Sequence, residues 1–418
     1  MYTTRPPSYT APYDSFSRTP SYSAEPRPHE QRLALNARVA SQPAANFLKS
    51  SKNGDIKLRL VQEDDNLDLP VYGSGAVVAG LVELTRTENI SSVEVKVEGH
   101  LQLKENGEGG QTHHTLCLDK VSLWIKNTNH RVCPSFLRFA RTLPTSFEYE
   151  GRSYPLPPSH SVQLKGLPGF CATIDYSVSA ITHIGNTTVS TPFIYCLRSR
   201  PALPIPSPLL CAQAEGGFIE RAEWKVYRSI LKANAKAGLQ NIDVKFYLPA
   251  SRIFCASQGV PFHITFESDA NSLAAFLPYG PSGKLGATRI RLMRHSAVDA
   301  RRATTEGAKG GIWRVDYIGE TALSISHASA THMSFTGRIN LVDPTLKVMG
   351  FSVPGLSVQD CILLTVAPAE GSTSTKAPPF AGIREVIPVR LTTDAWTEDG
   401  RGIAVARRSL SVSPSRAI

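Results

Sequence analysis

The feature that most limits this chain is a two-residue alternation of apolar and polar side chains, repeated in short runs. Ile56, Leu58 and Leu60 alternate with Lys57, Arg59 and Val61, and Val93, Val95 and Val97 alternate with Glu94, Lys96 and Glu98. Thr173–Val178 and Asp243–Tyr247 follow the same style. A period of two sends neighbouring side chains to opposite faces, which suits half-buried antiparallel strands and not helices. Turn signals recur between the runs: Asn53-Gly54, Gly73-Ser74-Gly75, Asn106-Gly107, Gly109-Gly110, Glu150-Gly151 and Gly185-Asn186. Short strands with frequent turns predict an all-β chain of sandwich type. Glu220–Ala237 is ambiguous, because Trp224, Val226, Tyr227, Ile230 and Leu231 also fit a helix; its surroundings favour a strand.

The alternation does not run the whole length. Residues 1–52 lack it, and Pro6, Pro7, Pro12, Pro20, Pro26 and Pro28 punctuate the opening. Such a stretch cannot bury enough apolar surface to offset its ordering entropy, so a disordered arm of polyproline II character is expected. A short helix around Arg32–Val39 is a weak alternative within it. Strand-like texture then fills 53–198. Residues 199–216 hold four prolines between Pro201 and Pro208 and predict a connector. A second β-rich block occupies 217–396, with loop-like stretches at Pro278–Gly311 and Ala367–Gly382. Trp396 is expected to anchor its closing strand, and 397–418 to form a basic disordered tail. The 418 residues, 41% of them hydrophobic, suffice for two ordinary cores.

No apolar run approaches the length of a membrane span, and the polar, proline-rich opening is unlike a secretory leader. Seven scattered cysteines without a C-x-x-C pair argue for reduced thiols in an intracellular setting. The net charge is +10, and part of it is local: Arg289, Arg291, Arg294, Arg301 and Arg302 fall within fourteen residues beside a single acid, Asp299. These arginines are the candidates for contact with an anionic lipid surface. They lack interleaved aromatics for base stacking, so a nucleic-acid partner is not expected.

Catalytic spacings are missing. There is no G-x-S-x-G elbow, no H-E-x-x-H and no phosphate-binding glycine loop. His113 and His114 are the only adjacent histidines, and neighbours on a strand face opposite sides. No catalytic residue, metal, cofactor or small-molecule substrate is therefore expected, and the chain reads as a non-enzyme.

Several segments, in order, resemble the arrestin family, and within it the α-arrestin branch. Leu69-Pro70-Val71-Tyr72-Gly73-Ser74-Gly75 followed by Val77–Val82 resembles the family's early strand–turn–strand, although the family's turn carries Pro-Gly-Glu. Ser92–Gly99, then Leu143-Pro144-Thr145-Ser146-Phe147 with Leu156-Pro157-Pro158-Ser159, then Gly169–Ser179, are similar to successive family segments. In the second block, Val244–Pro249, Pro261–Phe266, Val358–Leu364 and Pro388–Trp396 continue the likeness. The resemblance implies two immunoglobulin-like β-sandwiches in tandem and a non-catalytic role linking membrane cargo to a ubiquitin ligase.

Arg5-Pro6-Pro7-Ser8-Tyr9 supplies the matching handle. Pro-Pro-x-Tyr is read by WW domains because a polyproline II segment loses little entropy on docking. Pro6 and Pro7 would enter an aromatic groove and Tyr9 the pocket beside it. The resemblance implies as partners a WW-domain ligase of the HECT class and the tails of transporters or receptors. It also implies a cytoplasmic location, peripheral at the plasma membrane and endosomes. Ser8, Ser409 and Ser411 lie near arginines and are candidates for regulatory phosphorylation. A trafficking or signalling scaffold of the same fold, recruiting no ligase, is the alternative. Leu69-Pro70-Val71-Tyr72 looks like a second handle but is expected inside a paired strand.

Overall fold

The computed structural model describes residues 28–33, 45–62, 68–107, 110–127, 132–183, 187–212, 217–277, 280, 288–300, 311–343, 348–367 and 378–398. The described residues are nearly all β, with one short helix among them. The first part contains β1 (Glu30–Leu33), β2 (Ala45–Ser50), β3 (Ile56–Gln62), β4 (Val71–Tyr72), β5 (Val77–Leu84), β6 (Ser92–Asn106) and β7 (Gln111–Ile125). It continues through β8 (Phe136–Thr142), β9 (Ser146–Tyr149), β10 (Arg152–Pro155), β11 (His160–Leu164), β12 (Gly169–His183), β13 (Thr187–Tyr195) and β14 (Arg198–Pro201). The second part contains β15 (Trp224–Leu231), β16 (Ile242–Pro249), β17 (Ile253–Cys255), β18 (Val260–Glu267), α1 (Ala270–Phe276) and β19 (Thr288–Val298). It ends with β20 (Ile312–Ala328), β21 (His332–Leu341), β22 (Phe351–Val353), β23 (Leu356–Val366) and β24 (Ile383–Thr392).

Two sheets face each other in the first part. One runs β4-β13-β12-β6-β7, with β11 added on β12; the other runs β2-β3-β5-β8. Leu58, Val78, Val82 and Phe139 from the second sheet share one core with Val95, Val97, Ile174 and Val178 from the first. The period-two expectation holds along β6, whose valines at 93, 95 and 97 are buried in turn. Gly99 breaks this series for a steric reason. A Cβ there would lie 2.4 Å from the Tyr176 ring, and that ring uses the gap to place its hydroxyl 2.6 Å from the Pro157 carbonyl. Pro157 and Pro158 carry the chain from the β9–β10 hairpin to β11, where a residue without an N–H interrupts pairing at no cost.

In the second part the order is β15-β16-β18-β21-β20-β19-β23-β24-β17, with β22 on β23. Phe246, Phe262, Ile264, Phe266, Leu292 and Ile362 head a second core. The two cores touch. Val298, Ala300, Phe351, Val353, Leu356 and Val358 come from the second part yet belong to the first core.

Five expectations need correction. Residues 30–33 and 45–50 were assigned to the arm, but they are strands; β1 pairs with β14 and β2 with β3. The prolines around them hide strands that take their partners from elsewhere. The helix expected at Arg32–Val39 is replaced by strand at 32–33, and the rest lies outside the described residues. The connector 199–216 is partly structured: 198–201 is β14, and Leu209 is buried with Phe218, Trp224 and Tyr247. The loop expected at Pro278–Gly311 contains β19, a strand with partners on both sides. At the other end, Trp396 is only half-buried and lies past the last strand. Tyr72 is buried in β4 against Phe193, so the second handle is part of the body as expected.

His263 pins the connector. Its Nε2 accepts the Leu209 N–H at 3.1 Å, and its ring lies between Phe218 and Trp224. Burial lowers its pKa to about 4. The unfolded chain therefore binds this proton first, and the stabilisation is complete above the unfolded pKa of about 6.5. It declines as pH falls from there to about 4, by at most about 1.4 kcal/mol per pH unit. Protonation also removes the acceptor that holds Leu209. The protection factor of the Leu209 amide, corrected for the intrinsic exchange rate, is expected to fall between pH 6.5 and 4, and His263→Gln is expected to flatten the stability–pH profile in that window. An unchanged profile in the variant would contradict this role.

Candidate functional site

The residues singled out by sequence do not converge. Pro6, Pro7, Ser8, Tyr9, Arg301, Arg302, Ser409 and Ser411 lie outside the described residues. Arg289 and Arg291 sit on one face of β19; Arg289 is exposed, and the Arg291 guanidinium lies 4.5 Å from the centre of the Tyr317 ring. Arg294 has the opposite parity and points inward. It is 5% exposed and forks onto Asp360 with contacts of 2.8 and 3.0 Å. Its Nη1 donates to the Val348 carbonyl at 2.8 Å. Arg294 is thus withdrawn from the proposed lipid contact: its phase of β19 is buried throughout, whereas Arg289 and Arg291 lie in the other phase.

What the fold does assemble is a buried charge network where β1, β14 and the end of β24 meet. Arg198 forks onto Asp394, with Nη2–Oδ1 at 2.6 Å and Nε–Oδ2 at 3.1 Å. Both side chains are nearly sealed from solvent. Backbone bonds lock the same spot: the Asp394 N–H donates to the Ser199 carbonyl, and the Ser199 N–H to Thr393 Oγ1, each at 2.9 Å. Arg200 is 3% exposed and donates to Gln31 Oε1 at 2.9 Å and to Thr397. Glu30 receives Arg390 Nε at 3.3 Å, and Arg390 also donates to the Gly350 carbonyl. Gly350 adjoins both buried systems. A Cβ on it would lie 3.5 Å from Arg390 Nη1 and 3.6 Å from Asp360 Oδ2.

Chemically this arrangement fastens. Arg198 meets its carboxylate in the planar fork geometry that arginine favours, while Arg200 and Arg390 each bridge two different oxygen acceptors. Segments near both ends of the described chain are thereby tied to the strand that follows the first core. Burial holds three of the thiols, Cys117, Cys133 and Cys361, in their protonated form. Burial pushes Cys117 up to about 12 and Cys361 up to about 11, with nearby acids adding to the rise, and none of the seven cysteines forms a disulfide. His113 stacks near His100, whereas His114 packs on Phe147 and Tyr149, so the adjacent pair does face two ways. Among the described residues no group of His, Cys, Asp or Glu side chains is placed to hold a metal.

The network was not anticipated, but one signal for its neighbour was present. Asp360 has the parity of Val358, Ile362 and Leu364, and Arg294 that of Ile290 and Leu292. A charge in the apolar phase of a strand requires a buried partner. Arg198, Asp394 and Glu30 carried no such mark, because they lie at strand ends without a surrounding alternation.

Neither a family model nor a curated protein matches this chain. No described helix is long and apolar enough to cross a membrane.

Proposed function

We propose that this chain is a non-catalytic, arrestin-like adaptor that holds membrane cargo beside a WW-domain ubiquitin ligase of the HECT class. In this reading the two cores are two immunoglobulin-like sandwiches in tandem. They grip a transporter or receptor tail at the cytoplasmic side of the plasma membrane or endosomes. The ligase then works on cargo at raised effective concentration, and ubiquitin transfer drives endocytosis.

The observation that carries the reading is the placement of the handle. Pro6-Pro7-Ser8-Tyr9 precedes a strand, Glu30–Leu33, that is bonded into the body by β14 and by the Glu30–Arg390 pair. A ligase held at Tyr9 is then connected, through β1, to a packed body. The ligand class of Arg289 and Arg291 stays as proposed, an anionic membrane surface, without Arg294.

Tyr9→Ala tests this. Loss of an aromatic anchor costs about 2 kcal/mol, so capture of WW-domain ligases is expected to weaken roughly thirtyfold. Co-purification of the ligase with full-length wild-type and variant protein provides the measurement. Equal recovery from both would sink the ligase reading and leave the ligase-independent scaffold. A truncation used for the same purpose must stop before Pro28, because cutting to residue 50 removes β1 and β2 as well.

A further inference from the structure

β20 is flanked unevenly. From Ile312 to Gly319 it pairs with β19, and from Gly319 to Ala328 with β21, so beyond Gly319 its β19 side has no paired strand among the described residues. The separation has a visible cause. Gly319 meets β19 at a tight crossing, where a Cβ would stand 2.8 Å from the Leu292 Cβ. Two residues later the Thr321 hydroxyl, and not its backbone, bonds the Ile290 carbonyl. Ala322–Ser326 therefore presents a strand edge that no described strand covers. All five residues are exposed; Ile325 is 61% and Leu323 37% exposed.

Open edges attract further strands unless something deters them, and charged side chains are the common deterrent. The outer strands β2, β7, β8 and β15 carry Lys49, Lys120, Arg138 and Lys225. Ala322-Leu323-Ser324-Ile325-Ser326 carries no charge and no proline. An added residue in the ladder between Ile325 and His327 ends the flat run there.

We propose that this edge pairs antiparallel with the same edge of a second copy, around a two-fold axis through Ser324. The pattern is self-complementary. With Ser324 opposite itself, Leu323 lies opposite Ile325 of the other copy, twice, on one face. Ala322 then lies opposite Ser326 on the other face, where Ser324 and Ser326 are already bonded to Thr336. Apolar meets apolar, small meets small, and no like charges face each other across the axis. An extended tail of an unrelated protein would gain the same backbone bonds but has no reason to match this symmetry.

The test uses full-length protein in sedimentation velocity. Wild type is expected to form a dimer that dissociates on dilution. Ile325→Lys is expected to raise the dissociation constant on the order of tenfold or more, with an unchanged far-UV spectrum, because the side chain is exposed. Position 324 tests the axis itself. Ser324→Asp and Ser324→Lys alone are each expected to be monomeric, since each opposes its own charge, and their mixture is expected to dimerise. A wild type that stays monomeric at high concentration overturns the proposal. So does an Ile325→Lys protein that dimerises with the wild-type dissociation constant, or a charge-swapped mixture that does not associate. None of these outcomes depends on Tyr9 or on a ligase.

Discussion

Replacing Arg294 with alanine is expected to destabilise the fold by about 3–5 kcal/mol, because it leaves Asp360 charged and sealed without its partner. The Asp360 side chain is 1% exposed and the Arg294 side chain 6%. The Val348 carbonyl loses its donor in the same change. The pair itself is a different matter from its breakage. Two buried ions give up much hydration, and apolar replacements of similar size often match or exceed a buried pair in stability. The double change Arg294→Met with Asp360→Leu is therefore expected to recover most of the loss. Urea denaturation of the three proteins measures this. A loss under about 1 kcal/mol in Arg294→Ala would mean that water reaches Asp360, contrary to its burial.

Phe351→Ala is expected to have the second large effect, about 3 kcal/mol, and to change the form of unfolding as well as its midpoint. Phe351 is 8% exposed and belongs to the first core although it follows β21 in the chain. Its ring meets His160 edge-on at 5.3 Å. Polar contacts cross the same boundary: Glu105 accepts the Ala300 N–H at 2.7 Å, Thr112 donates to the Ala300 carbonyl at 3.0 Å, and Arg314 reaches the Gln163 carbonyl at 2.6 Å. Wild type is expected to melt in one calorimetric transition, because each core loses surface to the other. Without the Phe351 ring the coupling weakens and two transitions are expected. A single transition in the variant, shifted by less than 1 kcal/mol, would show that the cores are coupled elsewhere.

Burial makes both expectations large, and burial was only partly legible in advance. The runs at Ile56–Val61, Val93–Glu98, Thr173–Val178 and Asp243–Tyr247 are strands because their alternation is a local property that any partner strand would reveal. Trp224–Leu231, which also fitted a helix, is strand β15, paired along its length with β16. Glu30–Leu33 escaped notice for the opposite reason. Its four residues have no pattern of their own, and their strand character comes from pairing with Arg198–Pro201. The connector was misjudged in the same way: its prolines speak against a continuous strand, but they do not prevent Leu209 from entering a core formed with Phe218, Trp224 and Tyr247.

The five arginines between 289 and 302 show the division most clearly. Their density was plain in the chain, and so was the opposite parity of Arg294 relative to Arg289 and Arg291. Parity says that two faces differ; it does not say which one meets water.

The strand character of most of the described chain was already written in the local pattern, because alternation and turn residues act over a few positions and need no distant partner. Tertiary structure alone decided which charges are sealed, which strand edge stays open and how segments near the two ends of the described chain are tied together. Those outcomes depend on contacts between residues as far apart as Glu30 and Arg390, and no local pattern encodes which distant strand will lie alongside.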